Sequence, residues 1–272
     1  MATFGTPEPI AVTVELGVGE VRLRASERAD TVVVVRPGDP AKRGDVAAVE
    51  QTSVEYANGR LLVRGPRGWR QWAPWRGGES IDVQIDLPAG SSLRGRAGVS
   101  ALRCSGRLGD CRFHLGVGDV RLDDAGRVEV ETGAGDVTIG SVGGAAEVTT
   151  SSGAVAIDRV EGTAVIRDRN GDTWIGEVIG DARVSAANGS ISIDVARSGV
   201  VAKTANGRIR LGQVERGAVV AQSAFGAVEV GVREGVAVWL DLETRFGSVQ
   251  NDLHETERPG PGEDAVEVHA RT

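Results

Sequence analysis

The sequence predicts an all-β fold: a single-stranded parallel β-solenoid (β-helix) with coils of roughly 18 residues and a less regular N-terminal cap. Three observations carry that prediction. A glycine recurs at Gly118, Gly135, Gly153, Gly171, Gly189, Gly207, Gly226 and Gly247, at intervals of 17, 18, 18, 18, 18, 19 and 21 residues. Aliphatic residues alternate with polar ones on both sides of that glycine. The 272-residue chain also holds 39 Gly against 9 Pro, with 40% apolar and only 4% aromatic residues. That mix suits many tight turns around a core of small aliphatics.

Each period contains two strands. Before the glycine lie pairs such as Val128 and Val130, Ala146 and Val148, Ala164 and Ile166, and Ala182 and Val184. After it lie Val137 and Ile139, Val155 and Ile157, Ile191 and Ile193, and Ile209 and Leu211. Alternation at period two buries one face of a strand. Val142, Val160, Val178 and Val214 follow and mark a third short strand as an option. One coil cannot bury its own apolar face, but stacked coils can. Stacking predicts one row of Val137, Val155, Ile191, Ile209, Val228 and Val249, interrupted by Thr173. A second row contains Ile139, Ile157, Ile175, Ile193, Leu211 and Val230. Asn170-Gly171, Asn188-Gly189 and Asn206-Gly207 recur at one corner, where Asn and Gly tolerate a left-handed backbone and Asn side chains can bond along the stack.

The expected organisation is one domain over 1–272, with about eight to ten coils. Residues 1–95 form irregular N-terminal coils and a cap, 96–252 the regular coils, and 253–272 a loop and terminal strand. In the cap, 10–23 reads as one coil, TVVVVRPG as a strand, and Asp39-Pro40 as the start of a short helix ending near Gln51. Strands follow at 52–64 and 80–87. AVEVHART reads as a first-half strand without a Gly-led second half after it, which fits a truncated chain or an incomplete last coil.

The segments GVGDVRL, GAGDVTIG, NGDTWIGEV and TANGRIRLGQV, with the opening TPEPIAVTVELGVGEVRL and the stretch SIDVQIDLPAGSSL, resemble the bacterial putative-adhesin family of β-strand-repeat proteins. Its actinobacterial members are the most similar. The resemblance covers nearly the whole chain and implies a β-solenoid. It implies little about activity.

A formal net charge of −7 argues against a nucleic-acid binder, which needs a basic face. No apolar run is long enough to span a membrane. The start MATFGTPEPIAVTVEL lacks a basic segment followed by an apolar one, so the expected compartment is the cytoplasm, with the surface by an unrecognised route as the alternative. Cys104 and Cys111 fit no zinc or CxxC spacing and read as buried free thiols.

His114, His254 and His269 are scattered, and no GxSxG motif is present. Asp119, Asp136 and Asp172 follow their glycines directly, but Ala154, Ser190 and Arg208 replace them in other coils. Calcium needs several oxygen ligands per site, so no metal or cofactor is expected. The least repeat-like stretch is RGPRGWRQWAPWRGGES, with Trp69, Arg70, Trp72, Trp75 and Arg76 as candidate interaction residues. Aromatic residues beside Arg are typical of interface hot spots. The plainer reading is that these rings pack over an open end or side of the stack. The other readings are a protein partner or self-association, and a small ligand. The functional expectation is a non-enzymatic scaffold or interaction protein. A surface adhesin binding glycan or protein is the first alternative, and a carbohydrate-active β-helix enzyme the second.

Overall fold

The computed structural model describes residues 1–66, 79–244, 248–252 and 265–272. The chain divides into two units, Met1–Gly143 and Gly144–Thr272. Each is described in turn.

Within the first unit the chain runs through β1 (Ala2–Gly5), β2 (Ala11–Ser26), β3 (Asp30–Pro37), helix α1 (Arg43–Gln51), β4 (Ser53–Ala57) and β5 (Arg60–Arg64). It continues through β6 (Ser80–Pro88), β7 (Ser92–Val117), β8 (Val120–Ala134) and β9 (Val137–Val142). The expected first coil is β2, which pairs in parallel with β7, Val12 opposite Leu93 and Val21 opposite Leu102. β7 pairs in parallel with β8, and β8 with β9. Inward residues Val12, Val14, Val21, Leu23, Leu93, Leu102, Phe113 and Leu122 are buried. Each contributes roughly 1.5–3 kcal/mol by leaving water.

The expected irregularity of the cap takes the form of antiparallel pairs: β3 runs antiparallel to both β1 and β6, and β4 antiparallel to β5. The cause is local. Asn58 and Gly59, at φ 51° and 72°, make a two-residue turn, and such a turn can join only antiparallel strands. β5 and β6 pair with the outer edge of β2, so the ladder does not end on a bare edge. Helix α1 also starts later than Pro40 would place it. Asp39 Oδ1 accepts the Ala41 N–H (2.9 Å), and buried Asp45 accepts the N–H groups of Asp39 and Ser80 (3.0 Å each). These bonds hold residues 39–42 as a turn.

The second unit contains two parallel ladders. One comprises β10 (Ala146–Thr150), β12 (Ala164–Asn170), β14 (Ala182–Asn188), β16 (Val200–Asn206) and β18 (Gly217–Phe225). The other comprises β11 (Val155–Val160), β13 (Thr173–Val178), β15 (Ile191–Ala196), β17 (Ile209–Val214) and β19 (Val228–Val232). β20 (Ala237–Glu243) and β21 (Ala265–Arg271) complete the unit. Registers advance one coil at a time, as in Val155↔Thr173↔Ile191↔Ile209↔Val228. Val155, Thr173, Ile191 and Ile209 are buried, as are Ile157, Ile175, Ile193 and Leu211. Val160, Val178 and Val214 are buried at the ends of these same strands, so these coils have two strands each and the optional third is absent among the described residues of the second unit.

The recurring glycine is a steric requirement. At Gly189 φ is 147°, and an added Cβ would lie 1.8 Å from the carbonyl oxygen of Gly171 in the coil below. The asparagine row forms as expected: Asn188 donates to Asn170 and Asn206 to Asn188, both at 2.8 Å. On another face charge alternates from coil to coil. Arg159 pairs with Glu177, Arg197 pairs with Glu177 at 2.6 Å, and Arg197 pairs with Glu215 at 3.1 Å.

AVEVHART is a first-half strand, β21, but it does not stack last. It pairs in parallel with β18 on one edge and β20 on the other, giving the spatial order β16-β18-β21-β20. Val219↔Val268 extends the buried row, and half-buried Leu240 lies beyond it. The Val249 expectation is corrected: Val249 is exposed, and residues 248–252 belong to no strand. β21 thus stands between β18 and β20 in the ladder.

Candidate functional site

Trp69, Arg70, Trp72, Trp75 and Arg76 all lie outside the described residues, as does His254. Of the other sequence candidates, His114 is exposed and pairs with Glu131 at 2.9 Å on a lateral face. Cys104 and Cys111 are buried free thiols. Burial raises both thiols, Cys111 to about 12. Asp119 and Asp172 each accept an N–H from the next coil, Asp136 at 3.0 Å and Ser190 at 2.7 Å. Their position after the glycine therefore has a structural use. The sequence signal for that use is the Gly-Asp pairing itself.

Two features break the regular pattern. The first is Asp168, buried in the row Thr150↔Asp168↔Ala186↔Thr204↔Ser223. Thr204 and Ser223 donate to the carbonyls of Gly189 (3.1 Å) and Gly207 (2.9 Å). Neither Asp168 oxygen nor the Thr150 hydroxyl makes a hydrogen bond. Burial pushes the Asp168 carboxyl up to about 6, against the pull of the nearby Asn170 and Arg169 backbone amides.

The second lies at the C-terminal end of the unit. β18 is covered by β21 and then β20, whereas β19 pairs with β17 and has no strand on its other edge among the described residues. Burial records the difference. Val219 and Val268 are buried, but Val228 and Val230 are only half-buried, although their equivalents in earlier coils are fully enclosed. Around this step the asparagine row ends in Phe225, 77% exposed, which sits opposite Asn206. Trp239 on β20 is 56% exposed. Its ring stands 5.3 Å from that of His269. His269 bridges Asp241 (3.1 Å) and Glu267 (2.9 Å), which hold its imidazolium above the usual range. Lys203, Gln222, Phe225, Gly226, Arg271 and Thr272 line an open depression of about 1010 Å³ here. Main-chain edges, half-covered valines and an exposed ring suit this site to binding. Among the described residues no group of three or more His, Cys, Asp or Glu is placed to hold a metal ion, and no helix is long and apolar enough to cross a membrane.

The family model Toastrack DUF4097 matches residues 12–244. The chain belongs to the Toastrack DUF4097 family. Its stacked parallel coils are the β-solenoid of that family. No curated protein matches this Toastrack chain. Among solved structures it is similar to a putative adhesin from Parabacteroides distasonis, at 14% identity and TM-score 0.42, covering 84% of this chain and 95% of that one. It is similar to a putative adhesin from Bacteroides fragilis, at 14% identity and TM-score 0.37, covering 84% and 94%. A putative cell adhesion protein from Clostridium sporogenes, at 12% identity and TM-score 0.29, covers 85% and 98%.

Proposed function

We infer that this Toastrack chain is a non-enzymatic interaction protein, one domain over 1–272, whose principal contact region is the C-terminal step of the second unit. The observation that carries this reading is the exposure of Phe225 beside the half-buried Val228 and Val230. Elsewhere in that unit the same rows are closed, and large exposed apolar groups concentrate where surfaces meet partners. The Trp69–Arg76 segment, with Trp72 at its centre, is a second contact, and Trp72→Ala is expected to weaken a partner without unfolding the stack.

The test is photo-crosslinking in producing cells, with a benzophenone amino acid in place of Phe225 or, as a lateral control, Arg183. Discrete adducts from position 225 and none from 183 are expected. Equal labelling from both positions would sink the assignment. Sugar ends released from a polysaccharide panel would replace it with the carbohydrate-active reading. Trp239 favours the surface-adhesin alternative, because a half-exposed indole suits a sugar face. Protease digestion of the chain on intact cells, with a cytoplasmic control left whole, would raise that alternative above the intracellular scaffold.

A further inference from the structure

We propose that the open edge of β19 binds an extended segment of another polypeptide, of pattern Gly-x-aliphatic-basic-aliphatic, as one added parallel strand. This deepens the interaction reading above and rests on it.

The ladder itself specifies the occupant. Val155, Thr173, Ile191 and Ile209 each donate their N–H forward to the next coil, to Asp172, Ser190, Arg208 and Ala227 at 2.8–2.9 Å. Val228 is the next member of that row, so its N–H points into the step. In a parallel strand N–H and C=O of alternate residues face the same side, so Val228 and Val230 both present their main-chain groups there. No strand receives them among the described residues.

Side-chain requirements follow from the same stacking. An added Cβ at Gly226 would lie 2.0 Å from the Gly207 carbonyl oxygen, and one at Gly207 2.0 Å from that of Gly189. The residue placed over Gly226 must therefore also be glycine. The second and fourth residues after it cover Val228 and Val230 and must be aliphatic. The residue between them stacks beside Glu229, which is 61% exposed and already pairs with Arg210 from below at 4.0 Å. A basic residue there meets the same carboxylate from above. This charge complementarity and the demand for glycine separate a specific occupant from any sticky peptide.

The chain's own residues 206–214, NGRIRLGQV, satisfy every position, and a synthetic peptide of that sequence is the probe. It is added to the full-length protein, and amide hydrogen exchange is followed by NMR. At saturation the Val228 and Val230 amides are expected to slow at least tenfold, with no change at β11 or β13. A peptide carrying Ala for its glycine is expected to bind at least tenfold more weakly.

Saturable binding without protection at Val228 and Val230 would overturn the proposal, as would equal affinity for the Ala peptide. A concentration-dependent dimer that protects these amides without peptide would also overturn it, since a second copy would then be the occupant. Adducts from position 225 with no peptide effect would leave the interaction reading standing and remove strand addition alone.

Discussion

Replacing Gly189 with Ala tests the stacking argument at its tightest point. The new Cβ would stand 1.8 Å from the Gly171 oxygen and 2.6 Å from its carbonyl carbon, at φ 147°. Non-bonded carbons prefer about 3.5–4.0 Å. The strained backbone costs roughly 1–3 kcal/mol for an L-residue, and the forced shift of a packed neighbour roughly 1–3 kcal/mol more. Relief by moving Gly189 is blocked from above, where a Cβ on Gly207 would already lie 2.0 Å from the Gly189 oxygen. The expected loss is therefore about 2–6 kcal/mol, a large share of a domain's usual margin of about 5–15 kcal/mol. Urea unfolding followed by far-ultraviolet circular dichroism measures it. Gly143→Ala is the control, because a Cβ there meets nothing within 4 Å. Unfolding of Gly189→Ala within about 0.5 kcal/mol of the parent would refute the claim that corner glycines are set by the carbonyl beneath them.

Three further outcomes are expected. Asp168 keeps its proton in the folded chain up to about pH 6, against 3.8 as its ordinary value. Between those values the native state binds the extra proton, so this residue's contribution to stability falls as pH rises. Asp168→Thr, matching Thr150 and Thr204, should stabilise the fold at pH 7.5 by about 1–3 kcal/mol and much less at pH 4, as read from paired urea curves. His269 is held above 6.5 by Asp241 and Glu267. Its contribution to docking β21 is present below that pH and lost as pH rises through the folded value. Exchange of the β21 amides should therefore quicken with rising pH beyond the intrinsic rate, and His269→Gln should abolish the excess. Cys104 and Cys111, buried with raised pKa values, should resist a thiol reagent in the native protein and react fully in denaturant. Fast native labelling would mean that the core opens there.

The regular coils were legible because their causes are local and repeated. A glycine under a carbonyl, alternating valines and isoleucines, and a stacked asparagine each leave a mark at fixed spacing, and the structure places them as the spacing requires. The order of strands at the C-terminal end was not legible. β20 and β21 carry the same alternation, and nothing in AVEVHAR states that it pairs with β18 before β20 does. Val249 follows Val228 by 21 residues rather than 18, and among the described residues no strand stacks on β19. The antiparallel cap was half legible. Asn58-Gly59 is a hairpin signal that outweighs the parallel pattern around it. The interaction residues chosen from composition, Trp69 to Arg76, fall outside the described residues, while Phe225 escaped notice. It is an ordinary residue in sequence, and it becomes conspicuous only as the aromatic end of an asparagine row.

Near-identical coils create a hazard of phase. A chain displaced by one whole coil would keep most aliphatic residues over another, Thr173 being an exception, so the core alone hardly distinguishes the right alignment from its neighbours. The charges at Arg159, Glu177, Arg197 and Glu215 are out of step with that symmetry, because their sign alternates while the apolar rows do not. A slip of one coil would stack the coil of Arg197 on that of Arg159 and the coil of Glu215 on that of Glu177, so each of these pairs would lose its partner. Exposed ion pairs add little to stability one by one, but these work as a parity check. They form only in the right alignment, and so they help a periodic sequence keep a single address for each of its turns.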